Sequence, residues 1–140
     1  MSKIIILLFI SFNIWAYVDE INDIDGVPTL VIKDQENIII TFPAESVVQG
    51  LKFKKWVEMN KKEYLVTVWY KGAHGEVVRI FSPESKKMIY EHRASWPVKI
   101  KYMPNQIEII TPDQSTGNGI PDKYLITWTP TSITKRMIEE

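Results

Sequence analysis

Apolar and polar positions alternate at a period of two residues in the second half of the chain. Val98, Ile100 and Tyr102 alternate with lysines, and residues 123–129 repeat the pattern with isoleucine and tryptophan. This period places one row of side chains in a core and the other in water. Both segments are therefore predicted to be antiparallel strands with one buried face.

Other segments are continuous runs of β-branched and aromatic residues, which is typical of strands. These runs occupy residues 29–33, 38–42, 63–70, 76–81, 87–93 and 106–111. Short polar, glycine or proline turns separate them, and no long segment has the period of a helix. The pattern predicts an all-β, antiparallel sandwich or barrel of about eight or nine short strands, paired in sequence order as a meander.

Three segments leave the secondary structure open. Residues 43–50 could form a helical turn that ends at Gly50, and residues 132–140 could form a short helix capped by Ser132 or a last strand. Residues 51–59 change phase at Trp56, which predicts a bulge or a bend.

The segment 63–70 is apolar on both of its faces. Tyr64, Val66 and Val68 share the more apolar face and are predicted to be core. Trp69 then points outward or is covered by another layer. Exposed aromatic side chains stack on sugars or anchor protein partners, so Trp69 and Trp96 are candidate binding residues, with core packing as the alternative.

The N-terminus has the pattern of a secretory signal peptide. Lys3 precedes the apolar run 4–12, and Ala16 precedes a polar segment. The run is shorter than the roughly 20 apolar residues that span a bilayer, although an uncleaved signal anchor is an alternative. The prediction is a signal peptide at residues 1–16 and a single β domain at residues 17–140, periplasmic or secreted and without membrane insertion after cleavage.

The composition argues against nucleic-acid binding and against stabilisation by disulfides. The 17 Lys and Arg residues balance 17 Asp and Glu residues, so the chain lacks the basic character of nucleic-acid-binding proteins. Lys52, Lys54 and Lys55 form a basic cluster that is predicted to be a solvated strand face. There is no cysteine, so apolar burial must stabilise the domain, and the 45% hydrophobic content makes such a core plausible.

Two short segments share an order of acid or amide, glycine, β-branched residue and proline. They read DIDGVPTLVI at residues 23–32 and TGNGIPDKYLI at residues 116–126. This pattern resembles the aspartate-rich calcium loops of secreted proteins, of the FG-GAP and thrombospondin type 3 kinds. The resemblance implies a weak calcium site whose ligands are drawn from the following residues: Asp23, Asp25, Asp113, Thr116, Asn118 and Asp122.

Both copies depart from that pattern. Thr29 replaces the final aspartate of the first copy, and Gln114, Thr116 and Leu125 stand where the second would carry acids. Asn-Gly and Asp-Gly are also the commonest formers of tight hairpin turns. A plain turn is therefore the alternative at each site.

The chain contains no recognisable catalytic or cofactor motif. Glu91 and His92 are adjacent in a predicted strand and would point to opposite faces, so they are not expected to act together. The leading prediction is an exported, non-enzymatic β domain that binds a protein or glycan partner of the cell envelope. The alternatives are a calcium-supported structural module and a cell-envelope hydrolase.

Overall fold

The computed structural model describes residues 17–46, 49–113 and 122–138, and it confirms the all-β prediction. These residues form eleven strands joined by turns, two or three more strands than expected. They include no helix that is long and apolar enough to cross a membrane. The predicted signal peptide at residues 1–16 lies outside the described residues.

The described strands form three antiparallel sheets, and within each sheet the strands pair in sequence order. The N-terminal sheet consists of β1 (Tyr17–Ile24), β2 (Val27–Asp34) and β3 (Asn37–Pro43). The central sheet consists of β4 (Leu51–Met59), β5 (Lys62–Lys71), β6 (Gly75–Ser82) and β7 (Lys87–Ala94). The C-terminal sheet consists of β8 (Lys99–Tyr102), β9 (Ile107–Asp113), β10 (Asp122–Thr129) and β11 (Ser132–Met137).

The central sheet is covered on both faces, so the fold is a layered sandwich and not a closed barrel. One face packs against the N-terminal sheet in a cluster here called the N-terminal core: Leu30, Ile32, Ile40, Ala44, Leu65, Trp69, Val77 and Phe81. The other face packs against the C-terminal sheet in the C-terminal core: Val57, Met59, Tyr64, Val66, Val68, Val78, Ile80, Ile107, Ile109, Ile126 and Trp128. Each fully buried aliphatic side chain contributes roughly 1.5–3 kcal/mol to folding.

Burial on both faces explains why β5 and β6 lack the alternation seen in β8 and β10. Every residue of β6 is buried, and in β5 only the ends of the strand reach solvent. A strand covered on both sides must be apolar on both sides, and the pattern of a half-exposed strand is then lost.

The structure adds one strand that was not predicted and corrects two local predictions. β1 was not foreseen, because its acidic sequence lacks the composition of a strand. The irregularity in β4 lies between Leu51 and Phe53 and not at Trp56. Residues 132–137 are a strand, so the helical alternative for this segment is wrong.

The connection from β3 to β4 shows no helix in its described residues. Pro43 is the last residue of β3, and residues 44–46 and 49–50 have no regular secondary structure. Ala44 and Gln49 are nevertheless buried, so this connection packs closely on the sheets.

Candidate functional site

Two edge strands from different sheets meet at one margin of the molecule. β4 pairs with β5 alone, and β8 pairs with β9 alone, among the described strands. The ring centroids of Phe53 on β4 and Tyr102 on β8 are 6.4 Å apart. Lys55 Nζ lies 4.3 Å from the centroid of the Tyr102 ring. Side chains of these two edge strands therefore contact each other in the space between the two sheets.

A cavity of about 230 Å³ opens between these edges and is here called the Tyr102 groove. Its apolar walls are Phe53, Val68, Val98 and Ile100. This volume is below the roughly 300–1,000 Å³ that is usual for small-molecule pockets. The space suits one large side chain or a group of similar size.

The bulge at the start of β4 creates the groove. Leu51 packs against the N-terminal core, whereas Phe53, two residues later, contacts Tyr102 on the opposite side of the sheet. In a regular strand these two residues would share a face. The register shift between them turns Phe53 toward the C-terminal sheet.

A buried carboxylate forms the inner end of the groove. Glu76 is 2% exposed and accepts hydrogen bonds from Lys52 Nζ at 2.9 and 3.2 Å. Its Oε1 also accepts a hydrogen bond from the backbone N–H of Val98 at 3.2 Å. These contacts satisfy the carboxylate and hold the beginning of β8 against the central sheet.

Tyr102 lines the groove, and its hydroxyl is buried without a hydrogen-bond partner among the described residues. Burial raises the pKa of Tyr102 to about 12, so the hydroxyl is neutral at ordinary pH and can donate. A buried polar group without a partner costs about 1–3 kcal/mol of stability.

Two exposed aromatic side chains lie at or near the groove: Phe53 lines it, and Tyr70 lies near the lining residue Lys52. Phe53 is 46% exposed and Tyr70 is 48% exposed. Lys52 Nζ lies 6.0 Å from the centroid of the Tyr70 ring. Large exposed apolar side chains that adjoin a cavity are characteristic of protein-binding surfaces.

The two tryptophans predicted to bind differ in their positions. Trp69 is fully buried in the N-terminal core, and its Nε1 donates to Thr67 Oγ1 at 2.8 Å. The expectation of an outward Trp69 is wrong, and the alternative of a covering layer is confirmed. Trp96 is half-buried beside the groove residue Val98, and its ring stacks on His74 with centroids 5.5 Å apart.

The first predicted calcium segment forms a hairpin turn. Asp25 and Gly26 have φ angles of 53° and 80°, as a tight turn between β1 and β2 requires. Asp23 is paired with Pro28 in the same hairpin, and both aspartates are exposed. In residues 17–46, 49–113 and 122–138, no three acidic, histidine or cysteine residues are grouped as metal ligands would be.

The second predicted calcium segment is described at its base. Asp113 ends β9 and Asp122 begins β10, and the sheet register makes them direct partners. Thr116 and Asn118 lie outside the described residues. Two carboxylate-bearing residues thus occupy opposed positions at the start of the connecting segment.

Glu91 and His92 point to opposite faces, as predicted. Glu91 Oε2 accepts a hydrogen bond from Arg79 Nε at 2.9 Å on the N-terminal side of the central sheet. His92 Nε2 lies 2.7 Å from Thr111 Oγ1 of the C-terminal sheet. The two side chains therefore belong to different layers.

A charge cluster inside the sandwich was not foreseen from the sequence. Arg79 is fully buried, pairs with Glu45 and Glu91, and lies over the ring of Phe42 at 4.8 Å. Arg93 also bonds both carboxylates and completes the cluster. The signal for it was a lone arginine within the apolar run of β6, because a charge buried there needs partners.

A larger cavity of about 520 Å³ lies at the other end of β6. Ser82, Thr129 and Ser132 are among its lining residues. Thr129 Oγ1 accepts a hydrogen bond from the backbone N–H of Ser132 at 2.9 Å, and Ser82 Oγ accepts one from the N–H of Ser85. Because these hydroxyls stabilise the turns that carry them, the Tyr102 groove is the stronger candidate site.

Comparison with known proteins identified no relative of this chain. No protein-family model matches the chain, and no curated protein or solved structure matches it either.

Proposed function

We propose that this protein is a non-enzymatic binding protein whose Tyr102 groove receives an apolar side chain of a protein partner. The observation that carries the proposal is the cavity with apolar walls between two edge strands, which adjoins the half-exposed ring of Phe53. Such a site offers concave apolar contact to one side chain, which suits the recognition of a protein partner.

The location of the groove supports binding of a macromolecule. The groove opens at the margin of the sandwich, where Phe53 and Tyr70 expose nearly half of their surfaces. A partner that covers these rings would remove apolar area from water while one of its side chains fills the cavity. A small metabolite is too small to cover both rings and fill the cavity at once, so the partner is expected to be a macromolecule.

The proposal includes action outside the cytoplasm, in the periplasm or after secretion. It relies on the signal-peptide pattern of residues 1–16. The intact mass of the exported protein tests this part. A measured mass that matches residues 17–140 supports cleavage after Ala16. A measured mass that matches the full 140 residues contradicts cleavage.

A random peptide library displayed on phage tests the groove directly. Selection on the immobilised mature protein should enrich peptides that contain a large apolar residue. Val98→Trp fills the cavity and should weaken the selected peptides at least tenfold. Val18→Trp is the matched control, because Val18 is 50% exposed on β1 and should leave binding unchanged. Equal binding to both variants, or no enrichment, contradicts the proposal.

A second candidate function is a calcium-supported structural module. The observation that favours it is the pairing of Asp113 with Asp122 at the base of the second predicted loop. Calcium takes oxygen ligands, and the register places two residues that carry carboxylates opposite each other at the base of this segment.

A further inference from the structure

We infer that the partner presents an extended, acidic segment that adds as a strand to the free edge of β4, with one apolar side chain in the Tyr102 groove. This inference rests on the proposed function and specifies the chemistry of the partner. It is carried by the unpaired edge of β4, the position of the groove beside that edge, and Lys55 next to the groove.

The edge of β4 is long enough to bind an added strand. β4 runs for nine residues, and among the described strands it is paired on one side only. Its unpaired backbone groups can form a ladder of hydrogen bonds with an extended peptide. In such complexes the ladder gives affinity, and pockets for alternate side chains give specificity.

The groove lies where an alternate side chain of that strand would enter. Phe53 and Lys55 are two residues apart on the face of β4 that contacts Tyr102. A neighbouring strand in the same sheet would direct every second side chain to this face. One apolar side chain can therefore fill the groove, and a neighbouring side chain on that face would lie near Lys55.

The charge at this margin selects an acidic partner. Lys55 contacts the ring of Tyr102, and it forms no salt bridge with a described residue. Lys99 and Lys101 of β8 alternate with Ile100 and Tyr102, so they point away from the groove. Lys55 is therefore the cation that an acidic side chain of the added strand would meet.

Lys55 also argues against a second copy of this chain as the occupant. Lys52 and Lys54 already form salt bridges with Glu76 and Asp19, and two β4 edges brought together would place Lys55 of each copy near that of the other without an acidic partner. Lysines on an edge strand protect a sheet against such self-pairing. Glutamate or aspartate in the added strand would instead form cross-strand pairs of opposite charge.

Synthetic peptides test the inference by isothermal titration calorimetry. The first probe is an acetylated, amidated peptide of alternating glutamate and threonine with one central phenylalanine. The second replaces each glutamate with lysine, and the third is the acidic peptide with alternate backbone nitrogens methylated. We expect the acidic peptide to bind at least tenfold more tightly than the other two, with a difference that shrinks at high salt.

Charge reversal on the protein completes the test. Lys55→Glu should abolish the preference for the acidic peptide, whereas Lys87→Glu, an exposed lysine on the opposite edge strand β7, should leave it unchanged. Equal binding of the acidic and basic peptides, or full binding of the methylated one, overturns the inference. Tight binding of a heparin oligosaccharide at Lys55, without preference among peptides, also overturns it and assigns the surface to an acidic glycan.

The proposed function and the inference can fail separately. If library peptides that are neutral or basic still lose binding in Val98→Trp, the groove is a binding site and only the acidic strand is wrong. If Val98→Trp changes the binding of no peptide, the proposed function fails as well.

Discussion

Arg79 Nε donates to Glu91 Oε2 at 2.9 Å, and the guanidinium that makes this contact is fully buried between two sheets. Glu45, which lies on the connection between β3 and β4, accepts from the same arginine at 3.1 Å. One buried cation thus joins the N-terminal half of the fold to the edge strand β7. Removal of either partner of such a buried ion pair destabilises the folded state, because the remaining charge is then buried without a partner.

We expect Arg79→Ala to lower the free energy of unfolding by about 3–5 kcal/mol, because it removes the buried partner of two carboxylates and opens a cavity. Arg93→Ala is the control, since Arg93 binds the same carboxylates but is 39% exposed. Its loss should cost less than about 1 kcal/mol. Urea denaturation measures both, and equal losses would contradict a special role for burial.

Trp69→Ala should be among the most destabilising substitutions in the chain. Trp69 is fully buried in the N-terminal core, so its removal should cost about 3–5 kcal/mol. Phe53→Ala removes a ring that is 46% exposed and should change stability far less, while it weakens peptide binding. If Trp69→Ala left the melting temperature unchanged, the N-terminal sheet could not be packed on this residue.

The buried Tyr102 hydroxyl predicts a loss of stability in alkali. Burial raises the pKa of Tyr102 to about 12 in the folded state, whereas an ordinary tyrosine titrates at 10.0. As the pH rises, the unfolded chain loses this proton first, and ionisation favours unfolding. The stabilising contribution is therefore present below about pH 10 and is lost between about pH 10 and pH 12.

Tyr102→Phe provides the comparison for this pH dependence. The phenylalanine variant cannot ionise at this position, so its free energy of unfolding should fall less steeply in the alkaline window. Burial also raises the pKa of Tyr90, which contributes to both proteins and cancels in the comparison. Urea denaturation at several pH values measures the free energy of unfolding of both proteins. If it fell equally steeply with pH in both, Tyr102 would not be buried in solution.

The calcium interpretation predicts that millimolar calcium raises the melting temperature, because a ligand that binds only the folded state stabilises it. Asp122→Asn should remove the effect if the second segment binds the ion. Asp25→Asn, in the exposed turn between β1 and β2, tests the first segment in the same way. An unchanged melting temperature would leave both segments as hairpin turns.

Much of the fold could be predicted from the sequence because most strands are rich in β-branched residues and are joined by short turns. The meander followed from those turns, and the double apolar face of β5 already allowed a second covering layer over Trp69. The acidic strand β1 could not be recognised, since its stability comes from pairing with β2 and from contacts such as the 2.7 Å hydrogen bond from Trp56 Nε1 to Asp19.

The candidate site was harder to predict, because it joins residues that are distant in sequence. Phe53 and Tyr102 meet only because a bulge rotates β4 and because β8 lies beside it. The pattern of residues 51–59 predicted an irregularity but placed it at Trp56, and the position of β8 is not visible in local composition. One signal for the site was available in the sequence. Phe53 is a large apolar residue among lysines, in the exposed first half of β4.

The enclosure of the central sheet has a consequence for the way this chain folds. β5 and β6 have no face that water can cover, so each outer sheet is needed to shield them. Loss of the first three strands would expose Leu65, Trp69 and Phe81 together, and the remaining layers would be prone to aggregate. The three meanders should therefore melt in one cooperative transition, even though each is local in sequence.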